Sequence, residues 1–278
     1  MNLEINPLNE IMGAEIRGFD ICKIDNRTKE ILNDTISNYQ VVCIKDKQLD
    51  PKQLVELSKM FGKPKKYFVT DETFDGFPEV IIVKNREKNN EKKPKVFASH
   101  WHTDDSYIDK PATLTFIYPD VLPIDGGGGT DFINCYKVYD ELSFDLKNKL
   151  SKLTAVHKWS SRRNVSEVAK LNKEQENLTP PVVHPLIRTH PITKKKSLYI
   201  NPNRIDHISG YTNEESDLLL DDLYEFSFQE KFQYKHSYEK GDLVIWDNRC
   251  TMHKANSDYD INQLRVMHRV MLEGENVL

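Results

Sequence analysis

The chain has 278 residues, of which 38% are hydrophobic, 29% charged and 10% aromatic. That is the composition of a folded globular protein, long enough for one large domain or two small ones. Lysine and arginine number 39 against 43 aspartates and glutamates, for a formal net charge of -4. This balance argues against a general nucleic-acid or anionic-membrane binder, whose affinity rests on clustered positive charge. Only 10 of the 39 cationic residues are arginines, so a local cluster of them calls for a specific partner.

No apolar run approaches the ~18 residues that would span a bilayer. The opening Met1–Asn6 stretch lacks the basic and apolar blocks of a secretory signal. Cys22, Cys43, Cys135 and Cys250 form no CxxC pair, which fits a reducing, cytoplasmic setting.

In chain order, residues 13–21 read as a short strand and 28–38 as a helix. Residues 39–45, with four consecutive apolar residues at 41–44, read as a buried strand. Asp50-Pro51 marks an N-cap followed by proline at the first helical position, so 51–61 reads as a helix. Strands are expected at 79–84, 112–118 and 130–135, and helices at 139–153 and 213–228. The wholly polar stretch 85–95 reads as an exposed loop, and the charged stretch 158–182, ending in Pro180-Pro181, as an excursion from the core. Strands at 197–201, 241–247 and 263–272 complete the pattern. The expectation is one mainly β domain, a sandwich or barrel decorated by helices.

Trp101-His102-Thr103-Asp104 is the sharpest local feature. On an extended strand His102 and Asp104 share a face, supplying two thirds of the two-histidine, one-carboxylate triad that suits non-haem Fe(II). With 9 histidines and 23 aspartates in the chain, chance alone supplies roughly one such spacing, so the pair needs support from elsewhere. The segment Gly241–Asn256 offers it: a turn and an apolar strand deliver His253 just beyond a strand end, where scaffolds present functional groups. In Gln263–Val270, alternation puts Arg265, Met267 and Arg269 on one face and Leu264, Val266, His268 and Val270 on the other. Two inward arginines need anionic partners. Protein carboxylates or a small carboxylate or sulfonate ligand would both serve.

The HxD pair, the distal histidine in WDNRxTxHxA and the closing RxMHR together resemble the TauD/TfdA family of Fe(II)/2-oxoglutarate-dependent dioxygenases. Gly13–Gly18, Gly127–Thr130, His184–Pro191 and Ser197–Asn201 resemble further segments of that family, in the same order. The resemblance implies a double-stranded β-helix, a jelly-roll barrel with helical insertions, over 1–278. Because a reactive intermediate has to be shielded from water, 85–95 and 158–182 are read as lids, with plain disordered insertions as the alternative. It implies His102, Asp104 and His253 as metal ligands for Fe(II). It implies Thr130 and Arg265 as the residues that receive the distal carboxylate of 2-oxoglutarate, and Arg269 as the contact to a substrate anion. His100, Tyr199 and Asn201 are further candidates for the substrate pocket, with ordinary packing as their alternative.

The implied reaction consumes O2 and 2-oxoglutarate, releases succinate and CO2, and oxidises a C–H bond of a small anionic substrate. Retention of the carboxylate as Asp104 implies oxygenation or desaturation rather than halogenation. A biosynthetic oxidation of an amino-acid-derived metabolite, including isonitrile formation, is an alternative, and a non-catalytic binding or sensing barrel is a third. Members of the family often form dimers or tetramers, so a homo-oligomer is expected. Two departures stand out: Gly129 occupies the place of the usual aspartate before Thr130, and 62–75 offers no match to the substrate histidine of taurine dioxygenase.

Overall fold

The structure is a computed structural model that describes residues 2–66, 72–85, 96–165 and 170–278. Most of the expected loop 85–95 therefore lies outside the described residues, as do residues 166–169 of the excursion. In chain order the elements are β1 (Glu4–Pro7), β2 (Ala14–Arg17), α1 (Asn26–Tyr39), β3 (Val41–Ile44), α2 (Pro51–Lys59), β4 (Thr73–Phe74), β5 (Phe77–Lys84), β6 (Leu114–Val121) and β7 (Thr130–Asn134). There follow α3 (Cys135–Glu141), α4 (Phe144–Leu150), β8 (Thr154–His157), α5 (Lys173–Leu178), β9 (Val182–Pro185), β10 (Ile187–Thr189), β11 (Lys196–Leu198), β12 (Ile205–Ile208) and α6 (Asn213–Ser227). The chain closes with β13 (Gln233–His236), β14 (Leu243–Asp247), β15 (Thr251–Ala255) and β16 (Val266–Met271). The protein is mainly β, with helices packed outside.

The helices start where the sequence says they should. Asp50 accepts from the Gln53 amide while Gln53 returns a bond to the Asp50 amide, with Pro51 at the first position of α2. Thr212 and Glu215 form the same reciprocal cap on α6. The stretch 139–153 is not one helix. The chain turns extended at Leu142, and Ser143 caps a new helix, α4, by accepting from the Leu146 amide.

Eight strands form one open sheet in the order β1-β2-β3-β14-β6-β16-β5-β4. A three-stranded sheet, β13-β7-β15, carries Thr130 and His253, and two smaller sheets, β12-β8-β9 and β10-β11, extend the molecule. Residues of α1 and α2 (Leu32, Ile36, Leu54, Leu57) pack on one face of the large sheet against Val42, Phe116 and Ile245. The opposite face presents Val41, Cys43, Val244, Trp246 and Met267 to Phe132, Tyr234 and Tyr238 of the small sheet and its continuation. A third apolar cluster joins Ile133 and Met252 to α3 and α6. Of the candidate site residues, Thr130, His253 and Arg269 lie on β7, β15 and β16 of the first two sheets.

Candidate active site

His102 and His253 are bound to each other through their backbones. The His102 amide donates to the His253 carbonyl at 3.0 Å, and the His253 amide donates back at 2.7 Å. Such a directly opposed antiparallel pair puts both side chains on one side, and the two imidazole rings lie 4.2 Å apart. His253 is in the middle of β15 rather than beyond a strand end. His102 makes only this isolated bridge, so the expected extended strand through 102–104 is replaced by a turn. Asp105, in the left-handed conformation at φ 58°, follows Asp104 in that turn.

Asp104 closes the triangle. Its Oδ1 is 3.9 Å from His102 Nε2 and its Oδ2 is 3.9 Å from His253 Nε2. These distances are too long for hydrogen bonds, yet one ligand atom from each of the three residues lies within 4.8 Å of the others. His102 Nδ1 is 2.8 Å from the His100 carbonyl, which turns Nε2 toward the centre and fixes the proton on Nδ1. His253 is oriented by packing instead, with its ring 4.6 Å from that of Trp246 and 6.2 Å from that of Phe132. The Asp104 carboxylate accepts from Thr115 Oγ1 at 2.7 Å. That hydroxyl accepts from Asn248 Nδ2 at 2.8 Å, and Asn248 Oδ1 accepts from Trp246 Nε1 at 2.9 Å.

The electrostatics favour the protonation states that bind a metal. Burial, with the neighbouring His102 and Arg269 charges, drives His253 down to about 3, only partly opposed by Asp104. Burial likewise lowers His102. It pushes the Asp104 carboxyl up, but His253, Arg269, His102 and the Thr115 hydroxyl outweigh it and hold Asp104 at about 2. Two neutral imidazoles and an ionised carboxylate are the forms required for ligation.

Arg265 is buried, and its Nε donates to the Gly128 carbonyl at 2.8 Å. Its terminal nitrogens have no hydrogen bond or ion pair among the described residues. Burial lowers its pKa, offset by Tyr238, Tyr259 and Asp258. The guanidinium carbon lies 5.9 Å from the centre of the Tyr238 ring, and the Tyr238 hydroxyl is 2.8 Å from Thr130 Oγ1. Gly128 sits at φ 65°, and a Cβ there would lie 2.9 Å from Arg265 Cδ. At Gly129 a Cβ would lie 2.3 Å from the His236 carbonyl oxygen. The glycine that replaces the family's aspartate is thus required by the approach of β13. An arginine fork beside a hydroxyl, with no carboxylate in ion-pair contact among the described residues, suits a carboxylate ligand.

The family described as "Taurine catabolism dioxygenase TauD, TfdA family" matches residues 4–271. The chain belongs to the TauD/TfdA family. It is 37% identical over 174 residues to the alpha-ketoglutarate-dependent 2,4-dichlorophenoxyacetate dioxygenase of Burkholderia sp. (strain RASC), an alignment covering 63% of this chain and 58% of that relative. It is 27% identical over 281 residues to the enzyme of the same name from Cupriavidus pinatubonensis, covering 97% of each. The solved structure of AAD-2 in complex with Mn(II) and N-oxalylglycine superposes with a TM-score of 0.85 at 26% identity, covering 100% of both chains. This member of the TauD/TfdA family is a 2-oxoglutarate-dependent dioxygenase using Fe(II), 2-oxoglutarate and O2. The triad fits the metal in residue chemistry and protonation, and the unpaired Arg265 fork fits the cosubstrate.

The other expected site residues fall in different places. Arg269 shares the inner face of β16 with Met267 and reaches the triad, with Nη1 3.6 Å from Asp104 Oδ1. His268, on the outer face, lies against Phe74 and Asp120. His100 is exposed and contributes its carbonyl to His102. Asn201 is buried and donates to the Thr103 carbonyl and to Ser106 Oγ, each at 2.8 Å, so it braces the turn that carries Asp104. Tyr199 stands in a separate buried cluster with Arg188, His157 and His184. Sequence reasoning missed Thr115, Asn248 and Tyr238. A second buried group, His190, Asp247 and Cys250, is spent on structure, because Asp247 takes His190 Nε2 at 3.0 Å and Arg249 through two nitrogens.

Proposed function

We propose that the enzyme oxidises a C–H bond of a small organic carboxylate or sulfonate. One O2 and one 2-oxoglutarate are consumed per turnover, with one oxygen atom leaving in succinate and the other entering the substrate, and with release of CO2. The observation that carries this reading is the meeting of the His102–Asp104–His253 triangle with Arg269, which follows the Arg265 fork by four residues in the chain.

In this reading His102, Asp104 and His253 hold Fe(II), which with 2-oxoglutarate supplies the oxidising power for C–H cleavage. Thr115 and Asn248 keep the Asp104 carboxylate ionised and aimed. Thr130 and Arg265 receive the distal carboxylate of 2-oxoglutarate, with Tyr238 setting the Thr130 hydroxyl. Arg269, next to Asp104, is the cation that a substrate carboxylate or sulfonate would meet.

The two facing sheets support a double-stranded β-helix as the architecture, because their shared core runs from Trp246 to Phe132, with ring centres 5.5 Å apart. The chain reads as a single domain over 1–278, because β16 near the C-terminus is a central strand of the sheet that also holds β1. Segment 158–182 is proposed as a lid, because Lys158, Trp159, Lys170, Leu171 and Thr179 line a cavity of about 540 Å³. Trp159 packs edge-on against Tyr107, three residues from Asp104. A cytoplasmic location is supported by four free thiols, and a homo-oligomer is expected from the family resemblance.

Succinate release, measured across aryloxy- and alkylcarboxylates, sulfonates and sulfate esters under Fe(II) and O2, tests the reading. Turnover is expected with at least one of these anions and with none of their uncharged esters. Turnover of the best substrate unchanged in Arg269→Ala would remove Arg269 from substrate recognition. Anaerobic addition of Fe(II) and 2-oxoglutarate that produced no charge-transfer absorption would overturn the enzyme assignment itself.

A further inference from the structure

Arg188 lies on β10 and is 1% exposed, and none of its three guanidinium nitrogens meets a hydrogen-bond partner. An arginine keeps its charge at any ordinary pH, and a buried charge without a partner costs several kcal/mol. The guanidinium carbon lies 5.0 Å from the centre of the Tyr199 ring. This is a cation–π contact that uses none of the N–H groups at a conventional acceptor.

Two further donors in the same cluster are buried and unpaired. The Tyr199 hydroxyl has no partner, and burial pushes its pKa up to about 12, so it remains an O–H. His157, stacked on Tyr199 at 6.0 Å, has no partner at Nε2. Its Nδ1 is 3.1 Å from Ser106 Oγ. Ser106 Oγ accepts from Asn201 Nδ2 at 2.8 Å, so its own hydrogen is free to go to His157 Nδ1. In that arrangement the imidazole proton sits on Nε2. His184, the remaining ring of the cluster, is already engaged with the Ile108 carbonyl at 3.1 Å.

The three Arg188 nitrogens can only donate, and the Tyr199 hydroxyl and His157 Nε2 can donate beside them. A water molecule would accept at most two of these bonds and would leave the arginine charge uncancelled. A small anion accepts from several donors and cancels the arginine charge. We propose that Arg188, Tyr199 and His157 form a binding site for a halide-sized inorganic anion, separate from the arginines of the 2-oxoglutarate and substrate sites. The site backs onto the turn that carries Asp104, through Ser106 and through Asn201, which also holds the Thr103 carbonyl. An anion there braces that turn from behind.

The test is anomalous diffraction from the wild-type enzyme purified without chloride and crystallised in bromide. A bromide peak within hydrogen-bonding distance of the Arg188 guanidinium and the Tyr199 hydroxyl is the expected result. Only non-anomalous water density at that place overturns the proposal. In solution, roughly 100 mM bromide against gluconate should raise the wild-type Tm by roughly 2–4 °C, and Arg188→Met should lose that rise. An equal rise in both proteins also overturns it. If Arg188→Met does not fold, the diffraction result decides alone.

Discussion

The Asp104 carboxylate depends on one hydroxyl. Thr115 Oγ1 donates to it, and Asn248 Nδ2 donates to that hydroxyl in turn. Thr115→Val keeps the shape, removes the bond to Asp104 and leaves a buried Asn248 donor unmatched. Fe(II) affinity, read by anaerobic titration, should fall about 10–100-fold; unchanged affinity would show that the carboxylate is aimed by other means. Tyr238 stands in the same relation to the cosubstrate. Tyr238→Phe loses the bond to Thr130 and keeps the ring beneath Arg265. The KM for 2-oxoglutarate should rise about fivefold, as the loss of one buried hydrogen bond implies, while kcat stays near the wild-type value. A fall in kcat at saturating 2-oxoglutarate with no change in KM would contradict a positioning role. The candidate ligands were readable because each sits in a short run that resembles a family segment. Thr115, Asn248 and Tyr238 were not, because they act through contacts between β6, the β14–β15 turn and the segment after β13, and no local spacing reports such contacts.

Strand periodicity proved the most informative signal at the level of elements. Alternation in β16 separates Met267 from Val270, because one face of the strand packs toward the small sheet and the other toward α2, whereas Arg265 precedes the strand and a register shift between Val266 and Met267 interrupts the alternation there. Periodicity failed at several short elements, although β3, equally short, was readable from its unbroken apolar run. β8, β9 and β12 have four residues each and are held by pairing with one another, which no window of that length can reveal. β15 was missed because its sequence, TMHKA, has no alternation to report, and His253 was consequently expected just beyond a strand end. The 142–143 break escaped notice because Leu142 continues an apolar helical pattern while its backbone is extended. Pairing of β7 with β13 accounts for the family departure at Gly129. A side chain there would collide with the His236 carbonyl at 2.3 Å, so Gly129→Asp, which restores the usual family residue, should destabilise by about 1–3 kcal/mol. A chemical denaturation midpoint that stayed level or rose in Gly129→Asp would mean that β13 can move away at no cost.

Across the whole molecule, the number of histidines buried in neutral form sets the response to acid. Apart from the metal triad, burial lowers His236 to about 4, opposed by Asp242, and lowers His157 well below its usual value, with His184 adding to the effect. Burial also lowers His184, partly offset by its bond to the Ile108 carbonyl. In the unfolded chain each titrates near pH 6.5. As pH falls below that value the unfolded state takes up protons that the native state refuses, so unfolding becomes more favourable. For His236 the loss stops near pH 4, where the native side chain also protonates. Each such histidine contributes a slope of about 1.4 kcal/mol per pH unit between those limits. The carboxylate Asp247 adds its own loss only below about pH 4, because Arg249 and His190 outweigh the effect of burial and hold its pKa down. Urea midpoints of the metal-free protein measured from pH 7 to pH 4.5 should therefore fall with a slope of several protons, since His102, His253 and His268 are lowered by burial as well. His157→Gln should flatten that slope by about one proton while lowering stability at pH 7. A midpoint independent of pH between 6.5 and 4.5 would show that these imidazoles are reached by water in the native protein, and that the cluster around Arg188 and Tyr199 is wetter than its packing indicates.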